Sequence, residues 1–107
     1  MIAVVIRHHA EADVASARNW YAREDPQLGT AFAPEFSRTV DRIGALPDQF
    51  PEVGPDVRRA LLHRFPYACY FVRRADQAVV VAVLHQHRKP GGWQHRANRE
   101  KGGPTSQ

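Results

Sequence analysis

The side chains able to do chemistry are concentrated between Val57 and Arg96. Arg58, Arg59, His63 and Arg64 fall on one run, and Tyr67 opens the next. His85, His87, Arg88, Lys89, Trp93, His95 and Arg96 close the segment. Arginine binds phosphate or carboxylate through a planar fork of donors but stays charged, which makes it a poor general base. Histidine exchanges a proton near neutral pH. Arg58, Arg59, Arg64, Arg88, Lys89, Trp93 and Arg96 are therefore candidates for holding a polyanionic partner. Tyr67, His85, His87 and His95 are the candidates for acid–base work. His85 and His87, two apart on a strand, share a face, but two imidazoles make an incomplete metal site; no metal and no cofactor is expected. The lone cysteine, Cys69, sits in an apolar run and reads as a small core residue rather than a reactive thiol.

Charge sharpens the division. Residues 1–56 hold five arginines against nine acids, a net −4, whereas residues 57–107 hold ten lysines and arginines against two acids, a net +8. Such asymmetry points to nucleic acid or an acidic protein segment as the partner of the second half. The alternative is that the arginines only keep strand edges soluble.

The elements that must position these residues follow from hydrophobic period. A chain of 107 residues is read as one domain, residues 1–97, with a Gly-, Pro- and charge-rich tail over residues 98–107 expected to be disordered. Ala3 to Arg7 reads as a strand. Ala10, Val14, Ala17 and Tyr21 recur at helical spacing, predicting a helix over about Ala10 to Arg23, with Trp20 and Tyr21 in packing roles. Asp25-Pro26 stops that helix and starts a second, in which Leu28, Phe32, Phe36, Val40, Ile43 and Leu46 form the apolar stripe. Pro34 is expected to bend it or to mark its ordered start. After a Pro- and Gly-rich loop plugged by Phe50, strands are expected over Val57–Phe65, Ala68–Arg73 and Val79–His87. Their short links imply an antiparallel meander. Arg73-Arg74 reads as a solvated hairpin turn. The fold class is thus α+β, in the order β-α-α-β-β-β, with a helical hairpin on one face of a small antiparallel sheet and the other face left for a partner. No run has the length or flanks of a membrane span or signal peptide, so a soluble cytoplasmic protein with no membrane partner is expected.

With these pieces in order, the chain resembles the RelE/ParE superfamily of toxins from bacterial type II toxin–antitoxin operons. The resemblance runs from about Ile2 to Arg96. It is carried by Ala10 and Asp13, Trp20-Tyr21, Pro26-x-Leu28-Gly29-x-x-Phe32, Pro47, Val57-Arg58-Arg59, Arg64-Phe65-Pro66-Tyr67, Tyr70, the Val79 to Leu84 run, His85 and Arg88-x-Pro90. The resemblance implies a cognate antitoxin whose flexible part wraps the toxin in a hetero-oligomer. It also implies one of two activities: mRNA cleavage on the ribosome, as in RelE-like members, or poisoning of DNA gyrase, as in ParE-like members, which are not nucleases.

Metal-free RNA cleavage needs one group to activate the 2′-hydroxyl, one to protonate the leaving 5′-oxygen, and cations on the phosphate. The cleaving members use lysines on the first strand after the loop, an arginine at the start of the next, and an arginine and a tyrosine near the C-terminus. Here the first of these strands carries no lysine, Tyr67 stands where the arginine is expected, and the C-terminal stretch has no tyrosine. The residues therefore favour the gyrase-binding branch, with a ribosome-dependent endonuclease or a non-toxic antitoxin-binding member as alternatives. Trp93 reads equally as a stacking surface for a partner or as a lid folded on the sheet.

Overall fold

A computed structural model of the chain describes residues 1–87 and 92–102. Strand β1 (Ala3–Ile6) is followed by helices α1 (His8–Glu24) and α2 (Pro26–Ala45), a single 3₁₀ turn at Pro47–Gln49, strands β2 (Glu52–Gly54), β3 (Val57–Leu61), β4 (Tyr67–Arg73) and β5 (Gln77–His85), and helix α3 (Trp93–Glu100). The five strands form one sheet in the order β1-β5-β4-β3-β2. The expected three-strand meander is present as β3, β4 and β5; β2 lies in the segment expected to be only loop and extends the meander by pairing antiparallel with β3. β1 adds to it in parallel, with Ile6 opposite Val80. That pairing makes β5 an interior strand, and its valine run is continuous rather than alternating because both of its faces are covered.

The helical hairpin forms where the pattern placed it. The Asp25 carboxylate accepts the Gln27 backbone N–H at 2.9 Å and Pro26 occupies the first turn, so one residue ends α1 and caps α2. α2 runs unbroken past Pro34, which lies exposed. Gly29 is required by the helix crossing: a Cβ there would lie 2.6 Å from the Ala22 Cβ, inside any real contact. Phe32, Phe65, Tyr67 and Tyr21 pack ring to ring between the hairpin and the sheet, with Ile43, Phe71 and Val80 completing the layer. Burial pushes the Cys69 thiol up to about 12, as suits the inert core residue expected.

The third strand of the chain ends four residues sooner than its apolar pattern suggested, and Phe65 turns into the core instead. Glu35 explains how this turn is held. The carboxylate is 3 % exposed, and it accepts the His63 N–H at 2.9 Å and Arg38 at 3.1 Å. Burial alone would raise its pKa, but these donors outweigh it and hold the carboxyl below its ordinary range. A depressed carboxylate pKa stabilises the fold above the unfolded value, about 4.3 for glutamate, and the contribution fades as pH falls through the folded value. Urea titrations of wild type and Glu35→Gln should therefore differ most at pH 7 and converge toward pH 3; a gap that widens on acidification would contradict this role.

The largest departure from the sequence reading is α3. Residues 98–100 belong to it, so the ordered domain extends past the expected boundary at 97; residues 103–107 lie outside the described ones. α3 lies on the face of the sheet opposite the hairpin, where Ala97 and Trp93 pack on Val57, Tyr70, Val72, Val79, Val81 and Ala82. That face is therefore partly covered rather than open. A register shift between Tyr70 and Phe71 on β4 leaves Val81 as the extra residue on β5, so Val81 and Ala82 both serve this second layer.

Candidate functional site

Alternation along β3 separates its two arginines. Arg58 shares the hairpin face with Ala60, and Arg59 the α3 face with Val57. Arg58 donates to the carbonyl oxygens of Asp48 at 3.2 Å and Phe50 at 2.5 Å, tying the loop to the sheet. Arg59 lies opposite Tyr70 on β4, and its Nε–H is buried without a hydrogen-bond partner among the described residues. The Arg58 Nε–H is likewise buried without a hydrogen-bond partner among the described residues, and an unmatched buried donor is costly. Beside it Leu61 is 41 % exposed. Across β4 the Tyr70 ring is stacked on Trp93, with centroids 5.2 Å apart and planes 9° from parallel. Trp93 is thus the lid of the two alternatives, its ring also closing over Gly54 of β2.

Arg96 anchors α3. It donates to Asp13 of α1 at 2.6 and 3.3 Å and to the Val81 carbonyl at 3.1 Å. The Asp13 carboxylate also accepts the Val83 N–H at 2.9 Å. β1 pairs with β5 only as far as Val80, so beyond that point the Asp13–Arg96 pair takes over the backbone groups that a longer strand would have satisfied. Arg96 is therefore a structural anchor rather than an outward-facing contact.

Glu100, at the end of α3, binds Arg7 in a fork at 2.8 and 2.9 Å, and Arg74 donates to both its side chain and its backbone carbonyl. The hydrogen bonds from Arg7 hold the Glu100 carboxyl below the usual carboxylate range against the opposing effect of burial, with Arg74 adding to them. Arg73 donates to Asp48 at 2.9 Å. Arg73 and Arg74 are thus tied down, not a solvated turn. Among the acids of the basic half there are only Asp76 and Glu100. An acid so outnumbered is a signal for an ion-paired clamp that sequence reasoning passed over.

The acid–base candidates do not converge on one place. Tyr67, His85 and His87 are neighbours: His85 lies opposite Tyr67, with ring centroids 5.3 Å apart, and 6.0 Å from the His87 ring. The His87 backbone N–H donates to His85 Nδ1 at 3.1 Å. Tyr67 is only 7 % exposed and packs on Phe32. His95 is elsewhere, on α3, lining a pocket with Arg7, His8 and His9. Arg64 is exposed, its guanidinium 5.7 Å from the Phe65 ring centroid. Arg88 and Lys89 lie outside the described residues. Among the described residues no group of three metal-ligating side chains forms, and no helix is long and apolar enough to cross a membrane.

No family model matches the chain, and no curated protein does. Among solved structures, it superposes on a chain of the "Chromosomal ParDE TA system from P. aeruginosa" with a TM-score of 0.71 and 18% sequence identity, over 79% of this chain and 96% of that one. The two share a fold. At that identity the similarity lies in the path of the backbone.

Proposed function

We propose that this chain is the toxin of a type II toxin–antitoxin pair, neutralised by a cognate antitoxin and arresting growth by binding DNA gyrase. The observation that carries this reading is the fold shared with the ParDE chain over nearly all of that chain's length. The antitoxin segment would be acidic and partly disordered, and would dock on the α3 side of the sheet at Arg59 and Leu61. Arg59 offers an unmatched donor there, and the surrounding half of the chain has a net charge of +8. Arg64, which is exposed, would add to the cationic surface, and Arg88 and Lys89 belong to the charge of this half of the chain.

The gyrase reading is favoured because no lysine lies on β3, Tyr67 is packed into the core, and His95 is apart from the other acid–base candidates. One observation favours the ribosome-dependent endonuclease: Tyr67, His85 and His87 are adjacent at the ends of β4 and β5. The deciding experiment adds purified protein to gyrase and supercoiled DNA, and in parallel to ribosomes programmed with mRNA. Trapped DNA breaks that require gyrase, with the mRNA intact, are expected. Specific mRNA cleavage without DNA breaks would overturn the gyrase assignment. Inactivity in both, with tight binding to the product of the neighbouring reading frame, would mark a non-toxic antitoxin-binding member.

A further inference from the structure

A second site lies between the start of α1 and the end of α3, away from Arg59. It is an open pocket of about 430 Å³ with Val81 as its apolar wall, Arg7, His8, His9, His95, Arg96 and Arg99 around it, and Glu100 as its one acidic lining residue among the described residues. The volume is within the range of small-ligand sites. Its charges do not cancel. Glu100 is shared by Arg7 and Arg74, and Asp13 is taken by Arg96. Counting Arg99, four arginines stand against two carboxylates, a surplus of two positive charges before any histidine is protonated. Arg99, His8, His9 and His95 are exposed and have no hydrogen bond or ion pair to another side chain among the described residues. Glu11 follows in the first turn of α1 but does not line the pocket.

The backbone adds to this. Arg7 occupies the N-cap of α1 and makes no capping hydrogen bond, because its side chain has donors and no acceptor. The first N–H groups of α1 therefore lack the side-chain acceptor that Asp25 supplies to α2, and they sit at the positive end of a 17-residue helix. An acid at the cap would have satisfied them internally; an arginine there leaves the position to an external anion. We propose that this pocket binds a phosphate monoester, whether carried by a free nucleotide or by the end of a nucleic-acid strand. A doubly charged, tetrahedral acceptor matches a surplus of two charges, fans of guanidinium and imidazole donors, and an apolar wall for the organic group.

The proposal is independent of which target the chain inhibits. It is tested on the full chain by ¹H–¹⁵N NMR and calorimetric titration with inorganic phosphate, with adenosine 5′-monophosphate against adenosine, and with a short RNA bearing a 5′-phosphate against the same RNA with a 5′-hydroxyl. Shifts confined to residues 7–10 and 95–100 are expected with the nucleotide and not with adenosine. The double variant Arg99→Gln/His95→Gln replaces an exposed guanidinium and an exposed imidazole with neutral amides and should weaken binding by about tenfold or more, while Arg18→Gln, an exposed charge on α1 outside the pocket, should leave it unchanged. Preference for the 5′-phosphorylated RNA over its hydroxyl form would assign the phosphate to a strand end; binding of the nucleotide without that preference would assign it to a small molecule. Equal response to nucleotide and adenosine, shifts elsewhere on the protein, or equal losses in the double variant and Arg18→Gln would overturn it.

Discussion

Asp13→Ala is expected to lower the melting temperature by on the order of 10 °C or more and to loosen α3 from the sheet. The substitution strips the Arg96 guanidinium of its carboxylate and leaves the Val83 N–H without an acceptor. Breaking a fully buried ion pair costs about 3–5 kcal/mol, because the surviving charge is stranded. The Arg96 side chain is 28% exposed and Asp13 16%, so water can repair part of the loss. About 2–4 kcal/mol is the expected cost, and for a domain of this size each kcal/mol is worth about 4–8 °C. Asp13→Asn retains an acceptor for Val83 and should lose less. Trp93 reports on the same event, since release of α3 unstacks it from Tyr70 and should change its fluorescence and the near-ultraviolet dichroism. If Asp13→Ala melts with the wild type, or melts early with the Trp93 signal unchanged, Asp13 is not what holds α3.

The second large effect separates a binding protein from an enzyme. In a protein that inhibits by docking, affinity is spread over several contacts. Arg59→Ala, Arg64→Ala and Lys89→Ala should each weaken inhibition severalfold, since an exposed charge contact is worth about 1 kcal/mol or less. Loss of a general acid or base instead costs about 10²–10⁴ in rate. Single-turnover cleavage of ribosome-bound mRNA by the wild type and by Tyr67→Phe, His85→Gln, His87→Gln and His95→Gln reads this directly. Uncut mRNA throughout, with graded losses of gyrase inhibition in the arginine and lysine variants, is the expected pattern. A wild type that cuts, and a single variant at Tyr67, His85 or His87 that does not, would make this an endonuclease built at the ends of β4 and β5.

Much of the architecture was legible in the order of residues because it depends on local period. Asp25-Pro26 encodes the break between two helices in two residues, and the stripe from Leu28 through Ile43 could face only one way. The valines of β5 marked it as a deeply buried strand, although they did not show what covers its second face. The chemistry of the cysteine was equally plain, since an apolar neighbourhood disfavours a thiolate.

What covers the second face of the sheet was decided only in three dimensions. Residues 93–100 are rich in charge, and their apolar side chains, Trp93 and Ala97, are only one helical turn apart, too little apolar content to mark a packed helix in the sequence; in the fold they are its inward-facing anchors. α3 is held by partners 83 and 93 residues away in sequence, Asp13 for Arg96 and Arg7 for Glu100, and no local pattern encodes pairings at that separation. The same holds for the candidate sites. The residue types named Arg58, Arg59 and Arg96 as alike, but strand alternation and long-range acceptors make the first a loop tie, place the second on the opposite face beside Tyr70, and turn the third into an anchor. Composition determined that this half of the chain is cationic. Which of its charges are already spent on the fold, and which remain for a partner, was settled by where distant carboxylates and carbonyls came to lie.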